Sequence, residues 1–168
     1  RGQAELCFRL IAQKSFPSYG YLAEQGATTL WESFEEYDRE NGKLVRRDGV
    51  PRIPSFNHHF WGGVLAWFYR YIGWLDVVSA DEIAVCPTFL REVSQAEIRY
   101  ERGGRSAEVK WHRRDGRTEL LVTVQGFRAV LKCNGITPLS EGENRICLDL
   151  TEDGRLAVPS VSEKQEEQ

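Results

Sequence analysis

Beyond Leu75 the apolar residues of this chain change period, and that switch limits the fold more than any other feature. Downstream, every second residue is apolar: Ala96, Ile98, Tyr100; then Ala107, Val109, Trp111; then Leu120, Val122, Val124; then Ala129, Leu131, Cys133; then Ile146, Leu148, Leu150. Alternation of this kind predicts half-buried antiparallel strands. Gly103-Gly104, Asp115-Gly116 and Asn134-Gly135 stand between them, and Asp-Gly or Asn-Gly between alternating runs is the strongest local hairpin signal. Their regular spacing predicts a small β-sandwich.

Upstream the spacing is helical. Cys7, Leu10 and Ile11, widened by Ala4, Phe8 and Ala12, predict a helix over Gln3–Gln13 that is buried on more than one side. Phe16-Pro17-Ser18-Tyr19-Gly20 ends it, since proline removes a donor and glycine permits a left-handed turn. A second helix follows Ser55, read as its N-cap behind Pro54, with Phe60, Val64, Leu65, Phe68, Tyr71 and Ile72 on one stripe and Trp61, Trp67 and Trp74 on other faces. Two helices cannot bury that much apolar surface between themselves, so the sequence predicts a larger helical assembly with further helices upstream. Met is absent and the chain opens at Arg1-Gly2 in what reads as helix, a second reason to expect a piece of a longer polypeptide. Between the helices, Ser33–Pro54 is charged and carries Gly42, Gly49, Pro51 and Pro54, which predicts a long loop or lid. The polar, acidic stretch 160–168 predicts a frayed tail.

Several functions are excluded. Lys and Arg number 22 against 25 Asp and Glu, so the net charge of -3 supplies no basic field for nucleic acid. Arg70 and Asp76 bound the most hydrophobic stretch well short of the roughly twenty residues a membrane span needs. The expectation is a soluble protein, cytoplasmic or secreted. Cys7, Cys86, Cys133 and Cys147 form no CxxC pair, match no zinc site, and are expected to pack as small apolar residues. No cofactor and no metal are expected.

Two segments carry the chemistry: Gly26-Ala27-Thr28-Thr29-Leu30-Trp31-Glu32, and Ser55-Phe56-Asn57-His58-His59-Phe60-Trp61-Gly62-Gly63. Glycoside hydrolysis usually needs one carboxyl group to protonate the leaving oxygen and another to attack the sugar or activate a water. Glu32, after a bulky indole and before the loop, suits the second role as a part-buried carboxylate at a cleft rim. Spacing alone leaves the plainer reading ahead, a Glu that caps a short helix or pairs with an arginine. Asn57, His58 and His59 stand at a helix entrance where side chains meet a cleft, although a satisfied core histidine explains one of the pair equally simply. Trp31 leads Tyr19, Trp61 and Trp67 as a platform for a sugar face, against the alternative that all are core. Glu35, Glu36, Asp38 and Glu40 are weighed as metal ligands or a second catalytic carboxylate and read as a solvated run. Arg102, Arg105, Lys110, Arg113, Arg114 and Arg117, interspersed with acids, read as ordinary surface.

The GATTxWE and SFNH elements, with Phe16-Pro17-Ser18-Tyr19-Gly20-Tyr21, Gly62 and Trp67-Phe68-Tyr69-Arg70, resemble the C-terminal part of a bacterial-type α-L-rhamnosidase, an inverting glycoside hydrolase. The resemblance implies an α+β chain of segregated type: the end of an (α/α)6 six-hairpin barrel over 1–75, then an antiparallel β-sandwich over 76–159 and the tail. It implies that Glu32 is the general base, that His58 contacts rhamnose, and that the partner acid lies on barrel helices upstream, so that this chain alone is inactive. The implied partners are a rhamnose-containing glycoside and the rest of the barrel. Phe34, where tryptophan is frequent, and His59, where tyrosine is usual, depart from the pattern and bear on sugar and aglycone preference. The rival expectations are a barrel-fold hydrolase of another sugar and a non-catalytic carbohydrate-binding or scaffold protein.

Overall fold

The computed structural model describes residues 3–32, 34, 36–38, 43–45, 51–52, 55–151 and 155–158. The chain divides into two compact units, Arg1–Ala66 and Trp67–Gln168. The tail expected over 160–168 lies outside the described residues, as do Glu35 and Glu40.

The first unit begins with α1 (Ala4–Ala12) and α2 (Tyr19–Glu24). Helix α1 keeps the amphipathic spacing, but none of its residues is buried: Leu6 is 43 % and Leu10 53 % exposed. The expected burial on several sides is therefore not met within this chain, because α2 alone is too short to cover the stripe. The segment Phe16–Gly20 does more than end a helix. Ser18, itself buried, starts α2 by accepting a hydrogen bond from Tyr21 N at 2.9 Å, the usual way a serine satisfies a free helix N–H. Its hydroxyl also donates to Gln13 O, at the end of α1. Gly20 is helical, not left-handed: a Cβ there would come within 2.5 Å of the carbonyl oxygens of Ala12 and Gln13. The glycine is needed for close helix approach.

The expected loop over 33–54 contains three short strands, β1 (Glu36–Asp38), β2 (Lys43–Val45) and β3 (Pro51–Arg52), paired antiparallel in that order. Tyr37 pairs with Leu44 in register, β-favouring residues hidden in a charged sequence. The second helix starts at His59, four residues after the expected cap, and changes hydrogen-bonding pattern twice: a 3-10 turn over His59–Gly63, α3 (Val64–Trp67) and a π turn over Phe68–Ile72. Gly62 and Gly63 lower helix propensity at the first change. Gly73 N donates to Phe68 O at 2.9 Å and closes the π turn.

The second unit is a sandwich. Strands β6 (Gln95–Arg102), β7 (Arg105–Arg114), β8 (Arg117–Gln125), β9 (Arg128–Lys132) and β11 (Gly142–Leu150) cover the alternating segments of the sequence, except Cys133, one residue past β9. β4 (Leu75–Val77), β5 (Glu82–Val85), β10 (Ile136–Leu139) and β12 (Leu156–Ala157) are additional. One sheet has the order β10-β9-β5-β4 and the other β12-β11-β8-β7-β6. All pairs are antiparallel except β5 with β9, which run parallel. Alternate residues Ala107, Val109 and Trp111 of β7, with Leu120, Val122 and Val124 of β8, join Ile83, Val85 and Leu131 of the other sheet in one sealed core. Trp74 and Trp111 stack there at 4.2 Å, 1° from parallel. The cysteines divide: Cys86 and Cys133 are buried as expected of small apolar residues, Cys7 is half-buried, and Cys147 is exposed.

Candidate active site

The two sequence segments singled out above meet in the first unit. Glu32 N donates to Ser55 O at 2.9 Å and His58 N donates to Leu30 O at 2.8 Å, so residues 30–32 and 55–58 run alongside each other in opposite directions. Trp31 and Phe56 touch edge to face between these bonds, their centroids 5.3 Å apart. Thr29 Oγ1 donates to Phe56 O and adds a third tie. The convergence spans more than twenty residues of intervening chain and owes nothing to local spacing.

Glu32 is exposed, not part-buried as its neighbouring indole suggested, because Trp31 and not the carboxylate fills the space beneath. Its carboxylate is nonetheless held: Ser55 N donates to Oε2 at 3.1 Å. A main-chain donor on a carboxylate oxygen fixes its orientation at little entropic cost, since the donor is already ordered. His58 is half-buried and its ring stacks on that of exposed His59, 5.4 Å apart and 16° from parallel. Asn57 is exposed, and its N–H donates to Ser55 Oγ at 3.4 Å. Trp31 is 6 % exposed and packs with Leu22, Tyr21, Ala27 and Phe34.

Sequence reasoning missed the supporting shell. Trp61, weighed as a sugar platform, donates its indole N–H to Glu32 O at 2.9 Å. Tyr19 OH donates to Trp61 O at 3.2 Å, and Phe34 lies against both rings, 5.4 Å from Tyr19 and 5.2 Å from Trp61. Withdrawal from water pushes the Tyr19 phenol above its usual range, which keeps it a donor. Ser55, read as a helix cap, instead supplies its main chain to Glu32. Only the three-dimensional pairing reveals these roles. A cavity of about 280 Å³ beside the site is lined by Tyr19, Leu22, Ala23 and residues 27–30, without Glu32 or His58. Among the described residues no group of three His, Cys, Asp or Glu side chains is placed to hold a metal. No helix among them is long and apolar enough to cross a membrane.

Comparison with known proteins finds similarity in both sequence and fold. Residues 1–72 match the bacterial alpha-L-rhamnosidase 6 hairpin glycosidase domain. An alpha-L-rhamnosidase of Streptomyces avermitilis is 28 % identical over 117 residues, 68 % of this chain and 11 % of that protein. One from Formosa agariphila is 31 % identical over 71 residues, 42 % of this chain and 7 % of that protein. The chain thus spans about a tenth of the length of the curated relatives it matches. The crystal structure of the Streptomyces avermitilis alpha-L-rhamnosidase complexed with L-rhamnose superposes with a TM-score of 0.72 at 21 % identity, over 87 % of this chain and 16 % of that one, and shares its fold. The α+β architecture, helices first and a largely antiparallel sandwich after, is shared with that structure. The similarity to the bacterial alpha-L-rhamnosidase 6 hairpin glycosidase domain thus extends over residues 1–72, less than half of the chain.

Proposed function

We propose that this chain carries the base side of an active site that releases terminal L-rhamnose from α-L-rhamnosides with inversion of configuration. Glu32 is the general base: Oε2 is engaged by Ser55 N, and Oε1 takes the proton of a water that attacks the anomeric carbon opposite the departing aglycone. His58 and Asn57 contact the sugar hydroxyls. Trp31 works from behind, holding the strip that bears Glu32 against Leu22 and Phe56, with a small exposed edge for the sugar. The general acid that protonates the leaving oxygen comes from outside residues 1–168, on a barrel helix of the complete polypeptide. In inverting enzymes the two carboxyls stand about 6.5–9.5 Å apart to admit the water.

One observation carries this reading: the hydrogen-bonded pairing of 30–32 with 55–58, which brings a restrained carboxylate and an imidazole onto adjoining strips of chain. The exposed state of Glu32 suits a group whose partner is water and whose enclosing walls belong to other helices. In the complete polypeptide, Glu32→Gln should lower kcat on a nitrophenyl α-L-rhamnoside by about 10³-fold or more with the Kd for L-rhamnose nearly unchanged. Near-normal turnover would refute the assignment. Residues 1–168 alone should release no nitrophenol from the same substrate.

A further inference from the structure

We infer that Trp61 is a positioning residue for Glu32, acting through its indole N–H, with Tyr19 as the second link of the same brace. The inference rests on the reading of Glu32 as the base. Glu32 is held at three of its own atoms. Its N–H donates to Ser55 O at 2.9 Å, its carboxylate Oε2 accepts from Ser55 N at 3.1 Å, and its C=O accepts from Trp61 Nε1 at 2.9 Å. The first two bonds come from one residue and form a hinge: both lie on the Ser55 side, and rotation about that edge leaves them intact. The third comes from the turn that starts at His59 and stops this rotation.

The donor itself is braced. Tyr19 OH at the start of α2 reaches Trp61 O at 3.2 Å, and the Phe34 ring lies tilted by 53° against the indole. Phe34 also meets Tyr19 edge to face, so Tyr19, Phe34 and Trp61 form a continuous aromatic strut beneath the main chain of Glu32. An aromatic spent on stacking against a sugar needs no particular use for its N–H. Here the N–H is committed to a backbone carbonyl, which argues for support and not for contact with substrate. Water attack on an anomeric carbon depends on placing the base within a fraction of an ångström, and a displacement of about 1 Å costs on the order of 10²-fold.

The test is made in the complete polypeptide with three variants. Trp61→Phe keeps a ring against Phe34 and removes the donor; kcat should fall about 10- to 100-fold while KM and the Kd for L-rhamnose stay within about twofold. Tyr19→Phe removes only the second link and should lower kcat in the same direction by about 2- to 5-fold, with an unchanged Tm showing that the fold is intact. Glu32→Gln is the reference: Trp61→Phe in that background should cause no further loss, because the group it positions is already gone. Wild-type kcat in Trp61→Phe with an inactive Glu32→Gln overturns the inference alone. Parallel losses in KM and Tm for both aromatic variants overturn it in favour of a purely structural role. An active Glu32→Gln overturns the reading of the base, and the inference with it.

Discussion

In the sandwich, Ile83, Val109, Val122 and Leu148 are wholly sealed from water, whereas among the described residues of Arg1–Ala66 the hydrophobic side chains that reach burial are Leu22 and Trp31. The two regions have similar apolar content in sequence and opposite fates in structure. A sandwich closes its core from its own two sheets. A hairpin of helices presents a stripe that only further helices can cover, so Leu6, Leu10 and Leu65 stay open to solvent at 43 %, 53 % and 57 %. Hydrophobic burial contributes about 25 cal/mol for each Å² removed from water, so stability concentrates in the sandwich, while the proposed site lies in the region that is least self-sufficient.

The sharpest way to break that contrast is a pair of truncations. Trp111→Ala removes the partner of Trp74 and the donor to Ile72 O, and should destabilise this chain by about 3–5 kcal/mol in urea unfolding followed by circular dichroism. Leu10→Ala should stay within about 0.5 kcal/mol in the same assay. Equal losses at the two positions would show that the helical region has a core of its own. A smaller effect sharpens the picture inside the sandwich. Thr118 Oγ1 is buried and, among the described residues, has no hydrogen-bond partner, so Thr118→Val should raise stability by up to about 1 kcal/mol. A loss of that size would mean the hydroxyl is satisfied after all.

The smallest effect concerns pH. The Ser79 hydroxyl, and then the Arg128 guanidinium, hold the Asp81 carboxyl below the ordinary value of 3.8. A carboxyl lowered on folding stabilises the native state above its unfolded value, and that contribution fades as the pH falls through the folded one. Ser79→Ala should therefore shift the urea midpoint slightly downward at neutral pH and not at all well to the acid side of 3.8. A shift that persists in acid would assign the effect to packing.

The sandwich was legible where one face of a strand is buried and the other wet. Ile98, Val109 and Val122 alternate because their neighbours meet solvent, and Asp115 and Asn134 take the left-handed conformations that Asp-Gly and Asn-Gly turns require. β5 escaped because Ile83, Ala84 and Val85 are all buried, and its parallel partner β9 arrives without a hairpin to announce it. α2 escaped because six residues leave too few turns for a periodic stripe. The loop over 33–54 hid β1 to β3 because Tyr37, Leu44 and Val45 are isolated among charges. For the proposed site, residue type singled out Glu32, Asn57 and His58, yet neither their alignment nor the Ser55 and Trp61 contacts could be read. These depend on two main-chain strips meeting across the intervening chain, and no local period encodes such a meeting.

The end of the helical stretch is sewn into the sandwich by side-chain hydrogen bonds from both sides. Tyr69 OH donates to Arg99 O, Arg70 Nη1 to Cys86 O, and Trp111 Nε1 to Ile72 O. Anyone dissecting this polypeptide into pieces therefore meets a seam that is not where helix gives way to strand. A gene fragment beginning at Trp67 retains all three stitches and their hosts, while one beginning at Leu75 would leave Arg99, Cys86 and Trp111 with loose threads.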